Sequence, residues 1–401
     1  MCFVTLSGVF AQKPASDVPR QEKLLNGLKL LMWNDPAASD VKVSIRVHSG
    51  AAFDPQGKEG VMQLLADNIF PTAASKSYFA EDLGGSIEVI SNYDYIQINA
   101  TSKPSEFVTL LEAVAQAVSN PTIDKETTAS LKKSLTEKLI ALEKDPAYIA
   151  DQAVAKRLFG TFPYGRPRMG SVQSLERIDF ADLLFAKERF LSADNATVAI
   201  SGNFNGDLGF RAARRYFGAW LKSDKRVPST FRQPDEPDTT LLEIPLGSTD
   251  HIEARIARRS VARNDKDYFT TEVLKRLMLG ELVSSHLYAR EIPDFGVSNE
   301  AHVLPGALVV KGNAKSKFSF VWPRVLTDIF FAASKANLQA DYAKRSRADQ
   351  WLDVDTYKLT SVAEDKKALD ALTFADVQRV GERLAKNPAA SIIVKPATAT
   401  Q

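Results

Sequence analysis

Gln63 and Asp67 stand four residues apart, with Ala66 beside them, in the run Gly57-Lys58-Glu59-Gly60-Val61-Met62-Gln63-Leu64-Leu65-Ala66-Asp67-Asn68. Side chains four apart share one face of a helix. Hydrolysis at zinc uses such a pair: two imidazoles at i and i+4 bind the metal, and a neighbouring carboxylate takes a proton from the bound water. In the inverted form of that motif, His-x-x-Glu-His, the five positions fall on 63 to 67. This chain reads Gln-Leu-Leu-Ala-Asp there. Each change removes a separate function. An amide at Gln63 is a poor zinc ligand, Ala66 has no group to accept a proton, and the single carboxylate of Asp67 is not a three-ligand site. An ordinary amphipathic helix also accounts for the segment, since Val61, Met62, Leu64, Leu65 and Ile69 have the spacing of a buried face. No intact catalytic set and no metal are expected at these positions.

Other chemistries find little support. The chain has no Gly-x-Ser-x-Gly, no reactive cysteine and no phosphate loop. His48, His251, His286 and His302 are scattered and form no ligand pair, so each reads as structural or solvent-facing. A net charge of +2 argues against a nucleic-acid partner. The local run Arg255, Arg258, Arg259 and Arg263 is flanked by acids and by Asn264-Asp265, and reads as a solvated face. No segment reaches membrane-spanning length without charges.

The elements that must position these residues come in two copies. Leu175-Glu176-Arg177-Ile178-Asp179-Phe180-Ala181-Asp182-Leu183 recurs 194 residues later as Leu369-Asp370-Ala371-Leu372-Thr373-Phe374-Ala375-Asp376-Val377. Glu188-Arg189-Phe190 recurs as Glu382-Arg383-Leu384 at the same offset, and Val198-Ala199-Ile200 faces Ile392-Ile393-Val394 in the same alignment. At 401 residues the chain exceeds a single core. The expectation is an α+β fold of two homologous units, residues 21–222 and 237–401, each a mixed sheet covered on one side by helices, facing each other across a cleft. Residues 223–236, with Pro228 and Pro234, read as a linker. Helical spacing marks Ser105–Ser119, Thr127–Lys144, Tyr268–Leu279 and Phe320–Ala336. Residues 1–20 read as a signal remnant and disordered terminus: Met1 to Ala11 is a short apolar run followed by small residues suited to cleavage before Gln12. That implies a periplasmic or secreted protein, with a cytoplasmic one as the alternative. Cys2, the only cysteine, would leave with the signal, so no disulfide is expected.

In order and spacing these pieces resemble the insulinase/pitrilysin family of zinc peptidases, in its branch of short two-domain subunits. Leu28-Lys29-Leu30-Leu31-Met32 with Val43-Ser44-Ile45-Arg46-Val47 looks like the family's opening hairpin, and Gly50-Ala51-Ala52-Phe53-Asp54-Pro55 and Gly60 lead into the motif helix. Leu83-Gly84-Gly85, Asp94, Phe162-Pro163-Tyr164-Gly165-Arg166-Pro167, Gly170, Asn195 to Gly202 and Tyr216-Phe217-Gly218-Ala219-Trp220 continue the match.

The resemblance implies a site and shows where this chain departs from it. The family's third zinc ligand, a Glu on a later helix, corresponds to Glu137 or Glu143. Its substrate-holding Arg and Tyr in the second unit correspond to Ser285-His286-Leu287, Arg290-Glu291, Gly296 and Asn299, with Arg290 two residues early and Asn299 in place of the Tyr. The strand Ser86 to Ser91 corresponds to the edge that receives a peptide, and Glu88 puts a charge there, which discourages pairing. Glu88, Arg290 and Asn299 are thus the candidate substrate contacts. The implied function is a catalytically inactive subunit that pairs with a zinc-bearing homologue in a heterodimeric peptidase, the zinc residing only in the partner. The alternative is a scaffold subunit similar to respiratory-complex core proteins, with no role in proteolysis.

Overall fold

The computed structural model describes residues 17–223, 231–284, 295–315, 322 and 328–397. Its first sheet joins β1 (Arg20–Lys23), β2 (Lys29–Asn34), β3 (Val41–Val47), β4 (Ser86–Ser91), β5 (Ile96–Ser102) and β6 (Ala196–Gly202) in the order β1-β2-β6-β3-β5-β4. The second joins β7 (Leu241–Leu246), β8 (Ile252–Arg259), β9 (Phe295–Glu300), β10 (Ala307–Ala314) and β11 (Ala389–Pro396) in the order β7-β11-β8-β10-β9. Apart from β1 the two orders match position by position. Directions match too: β2–β6 and β7–β11 are parallel, and the other equivalent neighbours are antiparallel. The fold is α+β and duplicated.

The first unit carries α1 (Val61–Ile69), α2 (Ala73–Glu81), α3 (Phe107–Ser119), α4 (Lys125–Leu142), α5 (Pro146–Phe159), α6 (Val172–Glu176), α7 (Phe180–Phe190) and α8 (Gly206–Phe217). The second carries α9 (Tyr268–Ser284), α10 (Phe331–Lys344), α11 (Arg347–Tyr357), α12 (Val362–Asp370) and α13 (Phe374–Lys386). Helices expected from spacing near 105–119 and 127–144 appear as α3 and α4. The one at 268 runs on to Ser284; of the stretch Phe320–Ala336, residues 320, 321 and 323–327 lie outside the described residues, and 331–336 are helical in α10. The signal-like run and linker residues 224–230 lie outside the described residues.

Each sheet buries one face under its own helices. Leu64, Leu65, Leu111 and Leu183 pack with Val43, Ile45, Ile98 and Val198 in the first unit, and Val273, Leu277, Val377 and Val380 with Ile256, Leu308 and Val310 in the second. The opposite face, expected to be bare, is covered by a helix exchanged from the other unit. From the first unit, α5 lays Ala150, Val154 and Leu158 on Ala257, Val309, Ile392 and Val394. From the second, α11 lays Leu352 and Trp351 on Leu31, Trp33 and Ala199.

The repeat extends to capping chemistry. Asp179 caps α7 in a reciprocal box with Asp182, and Thr373 caps α13 with Asp376, at the same spacing. The offset then slips before the last strand. Val198 and Ile200 face their own unit's helices, whereas Ile392 and Val394 face α5. A one-residue shift turns every side chain of a strand over, so the alignment of Val198 with Ile392 does not carry into three dimensions.

The basic run is not a solvated face. Arg255 and Arg263 are buried. Arg255 bonds Asp151 of α5 at 2.5 Å and Glu253 at 2.7 Å, Arg263 is held by Asp365, and Arg259 donates to the Leu158 carbonyl. The stems and heads of these arginines fasten one unit to the other and to its own helices, a use that local charge pattern cannot distinguish from solvation.

Candidate functional site

Helix α1 is fixed at its start. The buried Asp54 carboxylate accepts from Gly60 N at 2.7 Å and Met62 N at 2.8 Å, satisfying free donors of the first turn. Burial pushes the Asp54 carboxyl up to about 7, against those two bonds and the nearby Arg166. Gly60 has φ 106°, and a Cβ there would lie 2.9 Å from the Met169 carbonyl oxygen, so glycine is required.

That anchor sets the face α1 presents. Val61, Met62, Leu64, Leu65, Ala66 and Ile69 are buried. Gln63 and Asp67 are half-buried and side by side, with Gln63 Nε2 donating to Asp67 Oδ1 at 3.0 Å. Burial raises the Asp67 pKa above its ordinary value, opposed by the Gln63 bond and by the charges of Lys76 and Lys138. The Ala66 methyl lies in the core with nothing to accept a proton. Among the described residues no three His, Cys, Asp or Glu side chains converge as a metal site. A carboxamide, a methyl and one carboxylate already bonded to that carboxamide do not fit a zinc ion.

Glu137 and Glu143 are both exposed. Glu143 lines a cavity of about 570 Å³ with Tyr148, Gln152 and Lys156. Neither glutamate is among the charges acting on Asp67.

The peptide-edge expectation places Glu88 on β4, which pairs only with β5 among the described residues. Glu88 is exposed, and Asn99 Nδ2 donates to it at 3.5 Å. Asn299 lies on β9, which pairs only with β10 among the described residues. Its amide is occupied, donating to Glu272 at 3.0 Å and accepting from Ser260 at 2.8 Å. Arg290 and Ser285-His286-Leu287 lie outside the described residues.

Two polar clusters between the units were not singled out from sequence. Asp94 of the first unit accepts from Tyr164 Oη at 3.1 Å and meets His302 Nδ1 of the second at 3.0 Å, while Leu304 N donates to Tyr164 Oη at 3.1 Å. Their signal was present only as fold markers, Asp94 and Phe162-Pro163-Tyr164-Gly165. His48 bridges Thr197 of β6 and Thr356 of α11 at 3.1 and 3.0 Å. Burial pushes its pKa down to about 3.

Comparison with known proteins completes the description. The family model "Insulinase (Peptidase family M16)" matches residues 29–172, and "Peptidase M16 inactive domain" matches residues 177–292. An uncharacterized zinc protease of Rickettsia bellii is 21% identical over 55% of this chain and 57% of its own length. Another, of Mycobacterium bovis, is 25% identical over 69% of this chain and 65% of its own. The chain thus spans less than two thirds of the length of these curated relatives. Among solved structures, a Helicobacter pylori protease superposes with a TM-score of 0.85 at 14% identity, covering 94% of this chain and all of that one. A peptidase M16 inactive domain from Pseudomonas fluorescens gives 0.80 at 17%, covering 96% and 99%. A chain of complex III2 from Candida albicans gives 0.76 at 16%, covering 94% and 95%. At such identities these likenesses speak to the fold.

Proposed function

This chain belongs to the insulinase family, peptidase family M16, and we propose that within it the protein is a catalytically silent subunit that pairs with a zinc-bearing homologue to process peptides. One observation carries the reading: the two positions that should aim imidazoles at a metal are an amide and a carboxylate bonded to each other at 3.0 Å. The buried Ala66 removes the base as well. A fold kept over nearly its whole length beside a dismantled site points to a retained surface rather than a retained reaction. In this reading zinc enters only with the partner, and this subunit contributes walls and peptide contacts.

The test is metal content and peptide cleavage of the purified chain, alone and with a homologue that carries an intact His-x-x-Glu-His. The chain alone is expected to hold no stoichiometric zinc and to cleave nothing, while its addition raises the homologue's turnover or changes its peptide size preference. About one zinc per chain, or chelator-sensitive cleavage that survives removal of any copurifying homologue, would overturn the proposal. The scaffold alternative draws on the likeness to the Candida albicans complex III2 chain. It is favoured if the chain binds such a homologue, or a larger assembly, without altering cleavage.

A further inference from the structure

Helix α8 turns one face to the core and the other to solvent. Gly209, Ala212, Ala213 and Phe217 are buried. Opposite them in helical projection stands Arg211, with Arg214 and Arg215 to either side. All three arginines are exposed. Among the described residues none of them pairs with an acid, and Arg215 rests on the ring of its neighbour Tyr216. Asp207, at the start of the same face, is held by Arg20 of β1 at 2.7 Å. The face is therefore cationic.

Apolar tips stand at its end. Asn26 Nδ2 donates to the carbonyls of Phe217 and Trp220 at 2.8 and 2.9 Å, which ties the β1–β2 turn to the last turn of α8. Leu25, just before Asn26, is fully exposed, and Leu221, just after Trp220, is 80% exposed. The Leu221 carbonyl accepts from Ala193 N at 2.9 Å, so its backbone is fixed as well. Scattered exposed leucines are ordinary, and arginines in a last turn complement the helix dipole. Neither accounts for Arg211 in mid-helix, nor for two leucines held at one corner beside an unpaired cationic face.

We propose that this corner of the first unit seats on an anionic lipid bilayer: the arginines of α8 meet headgroup phosphates, and Leu25 and Leu221 enter the boundary beneath them. A protein partner would have to match the arginines with acids and each protruding leucine with a pocket. An anionic bilayer offers negative charge and an apolar layer just below it, with no shape to match. β1 and β4 are opposite edges of the first sheet, so a bilayer at this corner leaves β4 open.

The experiment is co-sedimentation of the full chain with vesicles, each variant checked for folding by circular dichroism. Vesicles of equal parts phosphatidylglycerol and phosphatidylcholine are expected to carry the protein down, and phosphatidylcholine alone is not. Arg211→Gln/Arg215→Gln is expected to weaken the partition on the order of 10-fold or more, and Leu25→Ser/Leu221→Ser by about 10-fold. Lys366→Gln/Lys367→Gln removes the same charge from α12 and is expected to leave it unchanged. Failure to sediment with the anionic vesicles overturns the proposal and turns the face over to an acidic protein. Equal binding to neutral vesicles, or equal losses from the α8 and α12 changes, also overturns it. So does a partition that survives the leucine change, which would be adhesion by charge alone. Adhesion through the apolar run Met1 to Ala11 would be untouched by either α8 or leucine changes, and that result overturns it too.

Discussion

Arg46 of β3 donates to Asp353 of α11 at 2.7 Å, across the two units, and their side chains are only 2% and 8% exposed. Gln97 binds the same guanidinium at 2.7 Å, and Arg345 meets the other Asp353 oxygen at 2.6 Å. The exchanged helix of the first unit answers with Asp151 of α5, about half exposed, on the buried Arg255. Buried pairs such as Arg46 with Asp353 add little net stability over apolar residues, but they penalise any arrangement that separates the partners. They therefore select which helix seats on which sheet.

Removing one partner should be much worse than removing both. Asp353→Leu strands a buried guanidinium and is expected to cost about 3 kcal/mol or more, whereas Arg46→Met/Asp353→Leu should recover most of the loss. Urea unfolding of the single and double variants measures both values. Equal losses in the two would mean the pair does not act as a unit.

The exchange also marks the limit of what the sequence discloses. The duplication was legible because capping residues recur: Asp179 and Asp182 in one copy, Thr373 and Asp376 in the other. The motif helix was legible from Val61, Met62, Leu64, Leu65 and Ile69, whose spacing fixes a buried face. The destinations of α5 and α11 were not, since periodicity says that a face is buried and not against which sheet. For the same reason Arg255 and Arg263 read as solvated. Val198 and Ile392 align as sequence yet face opposite ways, because a strand's facing depends on the parity of the loop before it. At the site, the residue types at Gln63, Ala66 and Asp67 were visible in the sequence, while the bond between Gln63 and Asp67 needed the helix assembled.

Asn68, next to Asp67, is 1% exposed, and neither atom of its amide has a protein partner. A buried amide left without bonds costs about 1–3 kcal/mol. Asn68→Leu, close in volume, is therefore expected to raise stability by roughly 1–2 kcal/mol, seen as a higher thermal midpoint. A lower midpoint would mean that Asn68 is satisfied by internal water.

His48 should make the junction acid-sensitive. Its folded pKa is pushed down to about 3 by burial, below the ordinary 6.5 or so of an unfolded histidine. The unfolded chain therefore binds the proton first, and stability falls as pH drops from about 6.5 toward 3. The ring keeps some solvent contact through the cavity it lines with Lys29, Thr197 and Asp355, so roughly 1–2 kcal/mol is expected at pH 5. Asp54, raised to about 7 by burial, acts oppositely: the cost of ionising it appears as pH rises from about 4 to 7. The difference between the native chain and His48→Gln isolates the histidine. That difference should shrink by the stated amount between pH 7 and pH 5, and a constant difference would rule the histidine out as the source.

Glu88 offers a direct test of whether β4 receives peptide. An edge strand exposes unpaired N–H and C=O groups that an extended chain can meet, and a charge on it discourages that pairing. Glu88 has only a 3.5 Å bond from Asn99 to compensate it, so its charge remains available to an incoming strand. If this subunit contributes a peptide-binding edge, Glu88→Asn in the assembled complex should tighten binding of an acidic peptide about 3- to 10-fold, equivalent to about 0.7–1.4 kcal/mol. The same change should weaken or leave unaltered the binding of a basic peptide, because the lost carboxylate attracted it. Fluorescence titration with two peptides that differ only in charge reads both arms. Equal changes for the two peptides, or none for either, would place the peptide elsewhere and leave the charge on β4 as protection against sheet-to-sheet association.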